Sequence, residues 1–144
     1  AIILRFRAKD NHGVDAKIWA HHGAGGGMTS AAPLNKLERA ANYFMANIYL
    51  MAHQHKAAVS KLPWIDYELG PSGKIRMTGT TRYLVATGSF LRGYEQGTRN
   101  ARDIPEGSYV EQRMLMPASL GAVMIMIRPV KNNNERRIDI NVSV

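Results

Sequence analysis

Residues 14–52 constrain this chain more than any other stretch, because they read as strand, glycine loop, helix and strand in immediate succession. Val14 to Ala20 is a short apolar-rich segment, and Ala20-His21-His22-Gly23-Ala24-Gly25-Gly26-Gly27 is the loop that follows it. Pro33 suits the first turn of a helix, where its missing N–H costs nothing. Leu34, Leu37, Ala41, Phe44 and Ile48 recur at helical spacing, with Lys36, Glu38, Arg39 and Asn42 on the other faces. The spacing predicts a helix from Pro33 to Ala46. Asn47 to Ala52 is then a continuous apolar run, which predicts a strand covered on both faces. Two strands joined through a helix are parallel neighbours with a right-handed crossover, so the expected class is α/β.

The flanks are β-structure. Ile2 to Ala8 alternates with period two, Asp10-Asn11-His12-Gly13 supplies turn residues, and the two predict a hairpin with the strand at 14–20. Trp64 to Leu69 and Lys74 to Gly79 flank Gly70-Pro71-Ser72-Gly73, a second hairpin signal. Tyr83 to Thr87 is a short strand ended by Gly88, and the polar residues 92–110 read as a long loop. Val123 to Val130 reads as a buried strand. After the turn at Asn132–Glu135, Ile138, Ile140, Val142 and Val144 alternate. The second half is therefore expected to be a mostly antiparallel sheet, and 144 residues without a repeat or linker make one domain, 1–144.

Composition narrows the chemistry. The chain has no cysteine, so a metal would be held by imidazole, carboxylate, amide or water. No apolar run approaches the roughly 20 residues that cross a bilayer, and no signal-peptide pattern opens the chain. The expectation is a cytoplasmic protein with no membrane partner. Nineteen basic residues against 11 acidic ones leave a net charge of +8, which favours polyanions such as nucleic acid, with Arg82, Arg92, Arg99 and Arg102 as contacts.

Four of the five histidines fall at the predicted carboxyl ends of the two parallel strands: His21 and His22 after the first, His53 and His55 after the second. That end of an open α/β sheet is where ligands gather. Neutral imidazole binds zinc, manganese and iron, and a glycine loop beside a cation lets backbone N–H groups approach phosphate. Each feature has an ordinary explanation alone. The glycines could be a tight loop, Thr29 and Ser30 a helix cap, and His12 a turn residue with no role. Two histidine clusters separated by one crossover helix favour a metal site.

The order of apolar strand, His21-His22-Gly23 with its glycines, helix, apolar strand and Ala52-His53-Gln54-His55 resembles the calcineurin-like metallophosphoesterases, in particular their phage and bacterial members. Thr87-Gly88-Ser89-Phe90-Leu91-Arg92-Gly93-Tyr94 and the closing strands resemble the same subgroup's C-terminal region. The likeness covers most of this chain but only the C-terminal half of that family's domain. It implies the C-terminal half of a four-layer α/β/β/α sandwich and a two-metal centre (Mn, Zn, Fe or Mg) that hydrolyses phosphate esters, including nucleic acid. By that resemblance His22, or His21, binds one metal together with His53, His55 binds the other, and Gly23, Gly25 and Gly26 approach the phosphate. Ala52 stands where the family has glycine. Asp10-Asn11-His12 stands in turn context only ten residues before His22 and is not equated with a family signature, and Gly-Asp-x-x-Asp and Gly-Asn-His are absent, so no bridging carboxylate and no catalytic residue is assigned. The expectation is a partial domain, weakly active or inactive alone, forming homo-oligomers through an exposed sheet edge. The alternative is a non-catalytic basic module that binds nucleic acid or builds an assembly.

Overall fold

In the computed structural model, β1 (Ile2–Arg7) and β2 (Gly13–His21) form an antiparallel hairpin with Ile2 opposite Ile18. The structure describes residues 1–7, 13–23, 29, 31–69, 72–90, 93–115, 117, 120–132 and 135–144. The Asp10–His12 turn, Ser30, Gly25, Gly26 and Arg92 therefore lie outside the described residues. After α1 (Ala31–Ala41) comes β3 (Ile48–Met51), which runs parallel to β2 with Ile18 opposite Ile48. The crossover unit read from residues 14–52 is thus present.

Two long strands follow. β4 (Ala57–Leu69) and β5 (Ile75–Thr87) pair antiparallel along their whole length, and the far end of β5 lies parallel to β3. The resulting sheet has the order β1-β2-β3-β5-β4. A short helix, α2 (Tyr109–Gln112), precedes β6 (Met124–Asn132) and β7 (Glu135–Ser143), which form a separate two-stranded sheet. The architecture is mixed α/β and rich in strand. Its antiparallel part is divided between two sheets, not gathered in one C-terminal sheet as the residue pattern suggested.

Each face of the five-stranded sheet has its own core. Leu37 and Ala41 of α1 pack on Tyr49, Met51 and Leu84, with Trp19, Leu34 and Leu62 around them. On the opposite face Ile48, Tyr83 and Val85 meet Ile125, Ile127, Ile140 and Val142 of the small sheet. The Tyr83 hydroxyl donates a 2.7 Å hydrogen bond to the Ile140 carbonyl and fastens the two sheets together. β3, between both layers, carries no charged residue because Ile48, Tyr49 and Met51 are buried and Leu50 is half-buried.

Two boundaries and one burial pattern differ from the reading of the sequence. The helix stops at Ala41, not Ala46, because the Ala41 carbonyl accepts the Arg82 guanidinium and the Ala46 N–H donates to the Tyr49 hydroxyl at 3.0 Å, so neither continues the helical ladder. The two segments 74–79 and 83–87 fuse into β5, since Arg82 is accommodated inside: its guanidinium lies 3.7 Å over the Trp64 ring and donates to the Ala41 carbonyl at 3.1 Å. Finally, β6 is not buried on both sides, because Met124, Met126 and Arg128 face solvent while Ile125 and Ile127 face the sheet.

The β1–β2 hairpin carries an exposed ion pair. Arg5 donates through Nε and an Nη to the two Asp15 carboxylate oxygens, both at 2.8 Å, across a register pair. That hydrogen bonding holds the Asp15 carboxyl below its usual range, with the Arg5, Lys17 and Arg7 charges acting in the same direction and partial desolvation opposing. A carboxyl depressed on folding stabilises above its unfolded pKa of about 3.9 and loses that contribution as pH falls through the folded value. An NMR titration should find the Asp15 midpoint below that of a free aspartate, and Arg5→Ala should return it to the ordinary range.

Candidate metal-binding site

The carboxyl ends of β2, β3 and β5 lie side by side, because His21 is opposite Met51 and Met51 is opposite Ala86. The Ala52 N–H donates to the His21 carbonyl at 3.1 Å and carries the β2–β3 ladder one residue past the strand end. There the chain turns sharply, with His53 in the left-handed region at φ 56°. A non-glycine residue is held in that conformation only when its surroundings over-determine it, and such residues cluster at functional sites.

The turn brings His53 to His22. Nδ1 of His53 lies 2.9 Å from Nε2 of His22, and the rings meet edge to face with centroids 4.8 Å apart. These residues are 31 positions apart in sequence, and both are exposed. Two imidazole nitrogens bound to one metal at about 2.0–2.1 Å stand roughly 3 Å apart or slightly more. The spacing is close to what two cis donors to a single divalent ion need; as placed, one ring donates to the other.

His21 takes a different position. Its ring stacks on Trp19 with centroids 5.8 Å apart and planes 7° from parallel, and its Nδ1 accepts the Gly23 N–H at 2.8 Å. The two rings leave the same side of β2, two residues apart, as strand alternation requires. An Nδ1 that accepts a hydrogen bond puts the proton of the neutral ring on Nε2, which leaves a donor facing outward. Of the two neighbouring histidines, His22 is the one that meets His53.

Gly23 has a structural reason to be glycine. It adopts φ 81°, and a Cβ there would stand 2.8 Å from the Ala52 carbonyl oxygen and 3.0 Å from Met51 Cγ. This close approach seats the start of the glycine loop against the end of β3. Gly25 and Gly26, also expected to approach phosphate, lie outside the described residues.

His55 is half-buried two residues beyond His53, and among the described residues no group of three or more His, Asp or Glu side chains gathers to hold a metal. Between the two histidines, Gln54 is 7% exposed and its Nε2 has no hydrogen-bond partner among the described residues. Sequence reasoning passed over Gln54 because a polar residue between two histidines carries no sign of burial. It also passed over Trp19, although its position two residues before His21 on a strand was the available signal. Of the arginines read as polyanion contacts, Arg82 is buried under Trp64, and Arg99 donates to the Asp103 carbonyl at 2.8 Å. No helix among the described residues is long and apolar enough to cross a membrane. No protein-family model, curated protein or solved structure matches this chain.

Proposed function

We propose that this chain carries the histidine side of a two-metal phosphoesterase centre of the calcineurin-like metallophosphoesterase kind. The observation that carries the reading is the His22–His53 pair, with imidazole nitrogens 2.9 Å apart at the carboxyl ends of adjacent parallel strands. In this reading His22 and His53 hold one ion and His55 contributes to the second. The ions, when bound, activate a hydroxide and neutralise developing phosphoryl charge. Gly23 seats the start of the glycine loop against the end of β3. His21, oriented by Trp19 and by the Gly23 N–H, offers its Nε2–H as a hydrogen-bond donor to a phosphate oxygen.

No bridging carboxylate is assigned, and a fourth layer beyond the β6–β7 sheet would complete the family's α/β/β/α arrangement. The chain alone is therefore expected to bind divalent metal weakly and to turn over little or no phosphodiester. Calorimetric titration with Mn²⁺ or Zn²⁺ should show saturable binding that His22→Ala and His53→Ala each remove and His12→Ala leaves intact. Absence of binding at millimolar metal would defeat the proposal. Hydrolysis of bis-p-nitrophenyl phosphate with manganese, abolished by His53→Ala, would instead show that the centre is complete without a further carboxylate.

A second reading, polyanion binding without catalysis, rests on a groove along the β1–β2 hairpin lined by Arg7 and Lys17 beside the Arg5–Asp15 ion pair. It is favoured if the chain binds DNA with strong salt dependence and indifference to chelator.

A further inference from the structure

The hairpin formed by β4 and β5 is longer than the sheet it belongs to. β3 pairs with β5 only from Tyr83 to Ala86, whereas β4 and β5 continue together out to Leu69 opposite Ile75. The outer part is a two-stranded arm, which is marginal in water unless a face is covered. Its register sorts the residues cleanly. Ile65 is opposite Gly79, Tyr67 opposite Met77 and Leu69 opposite Ile75, so these six positions share one face of the pleat. The charged residues Asp66, Glu68 and Arg76 take the alternate positions. The five large apolar side chains on the uncharged face are between 62 and 78% exposed. It is the same face that the β6–β7 sheet covers further along, where Val59 and Val85 join the core.

We propose that this arm face is the homodimer interface of the chain, packed against the same face of a second copy about a twofold axis. The size is of the right order: five large, mostly exposed apolar side chains on one face supply the apolar centre that a standard interface of ~800 Å² per partner needs. The chemistry is right as well. Two copies each carrying +8 repel, and the six arm positions 65, 67, 69, 75, 77 and 79 carry no charge, the nearest cation on that face being Lys61 at the base of the arm. The surface is also self-complementary, as an isologous contact requires. A Cβ at Gly79 would meet nothing within 4 Å, so the backbone opposite Ile65 is open and lets the Tyr67 ring of the second copy lie against it.

The sheet edges are poorer candidates. β4, one edge strand, carries Pro63, which has no N–H to offer, and an exposed Lys61. β1, the other edge, carries Arg5 and Arg7. Edge pairing, the route expected from the sequence, would bring like charges together or lose a ladder hydrogen bond, and face-to-face packing does neither.

Sedimentation equilibrium of the 144-residue chain should give twice the monomer mass of 16.0 kDa at the upper end of a hundredfold concentration range. The double variant Tyr67→Lys/Met77→Lys should give the monomer mass throughout, with an unchanged far-UV spectrum. Because the chain has no cysteine, a single Tyr67→Cys is a unique reporter. It should cross-link with a short bismaleimide at least tenfold faster than Thr80→Cys on the opposite face, and this readout does not depend on the lysine variant folding. A wild-type chain that is monomeric throughout, a folded lysine variant that remains dimeric, or equal cross-linking at the two positions would each overturn the proposal.

Discussion

Replacing His53 with glycine is expected to stabilise the fold by about 1 kcal/mol while weakening divalent-metal binding on the order of 100-fold. The two effects have different origins. His53 sits at φ 56°, where an L-residue's Cβ crowds the backbone at a cost of roughly 1–2 kcal/mol. Glycine avoids that cost and returns part of the gain, because its unfolded chain is more flexible. Deleting the imidazole also removes one of the two nitrogens that stand 2.9 Å apart. His53→Ala separates the terms, since it loses the nitrogen and keeps the left-handed strain. Urea denaturation should therefore rank glycine above both histidine and alanine, and metal titration should find both variants equally poor. A glycine variant less stable than the alanine variant would mean that the turn is not strained. Unimpaired metal binding would mean that His53 is not a donor.

The crossover unit was legible because two independent periodicities, helical over 33–48 and continuous apolar over 47–52, meet at a single loop. The register was not legible. That Ile18 lies opposite Ile48, and hence that His22 and not His21 reaches His53, follows from which backbone groups pair across β2 and β3. Trp19 could have decided between the two histidines in advance, since a residue two places from a large aromatic on a strand shares its face. The helix end was misplaced because Phe44 continues the apolar spacing, although its ring instead stacks on Trp19 at 5.3 Å. The residues 80–82 read as a break because threonine, threonine and arginine look solvated, and only the Trp64 ring and the free carbonyl at the end of α1 make Arg82 acceptable inside. The loop at 92–110 hides its order in polar pairs: Asn100 Nδ2 donates to Glu106 at 2.7 Å, and Gln112 donates to the same carboxylate at 3.1 Å. Such contacts between exposed polar side chains leave no periodic trace.

Tyr49 ties the helix layer to the strand that carries His53, and truncating it should produce the largest loss of stability among the core positions. Its side chain is fully buried. The hydroxyl donates to the Phe44 carbonyl and accepts the Ala46 N–H at 3.0 Å, so one side chain satisfies two backbone groups in the segment that leaves α1. Tyr49→Ala removes both bonds and leaves a cavity between Leu37, Met51 and Leu84, and is expected to cost about 3–5 kcal/mol. Tyr49→Phe keeps nearly all the volume and strands the two backbone groups, with an expected cost of about 1–3 kcal/mol. The difference between the two variants in urea denaturation measures packing alone. A domain of this size has only about 5–15 kcal/mol in total, so the alanine variant should be partly unfolded at physiological temperature. The phenylalanine variant tests the link to the site. Tyr49 stands four residues before His53 on the path from α1, and a loosened 44–46 segment allows β3 to shift against β2. Metal affinity should then fall in Tyr49→Phe by several-fold even though no ligand has changed. Full affinity in a destabilised Tyr49→Phe would show instead that the β2–β3 ladder positions His22 and His53 without help from the helix layer.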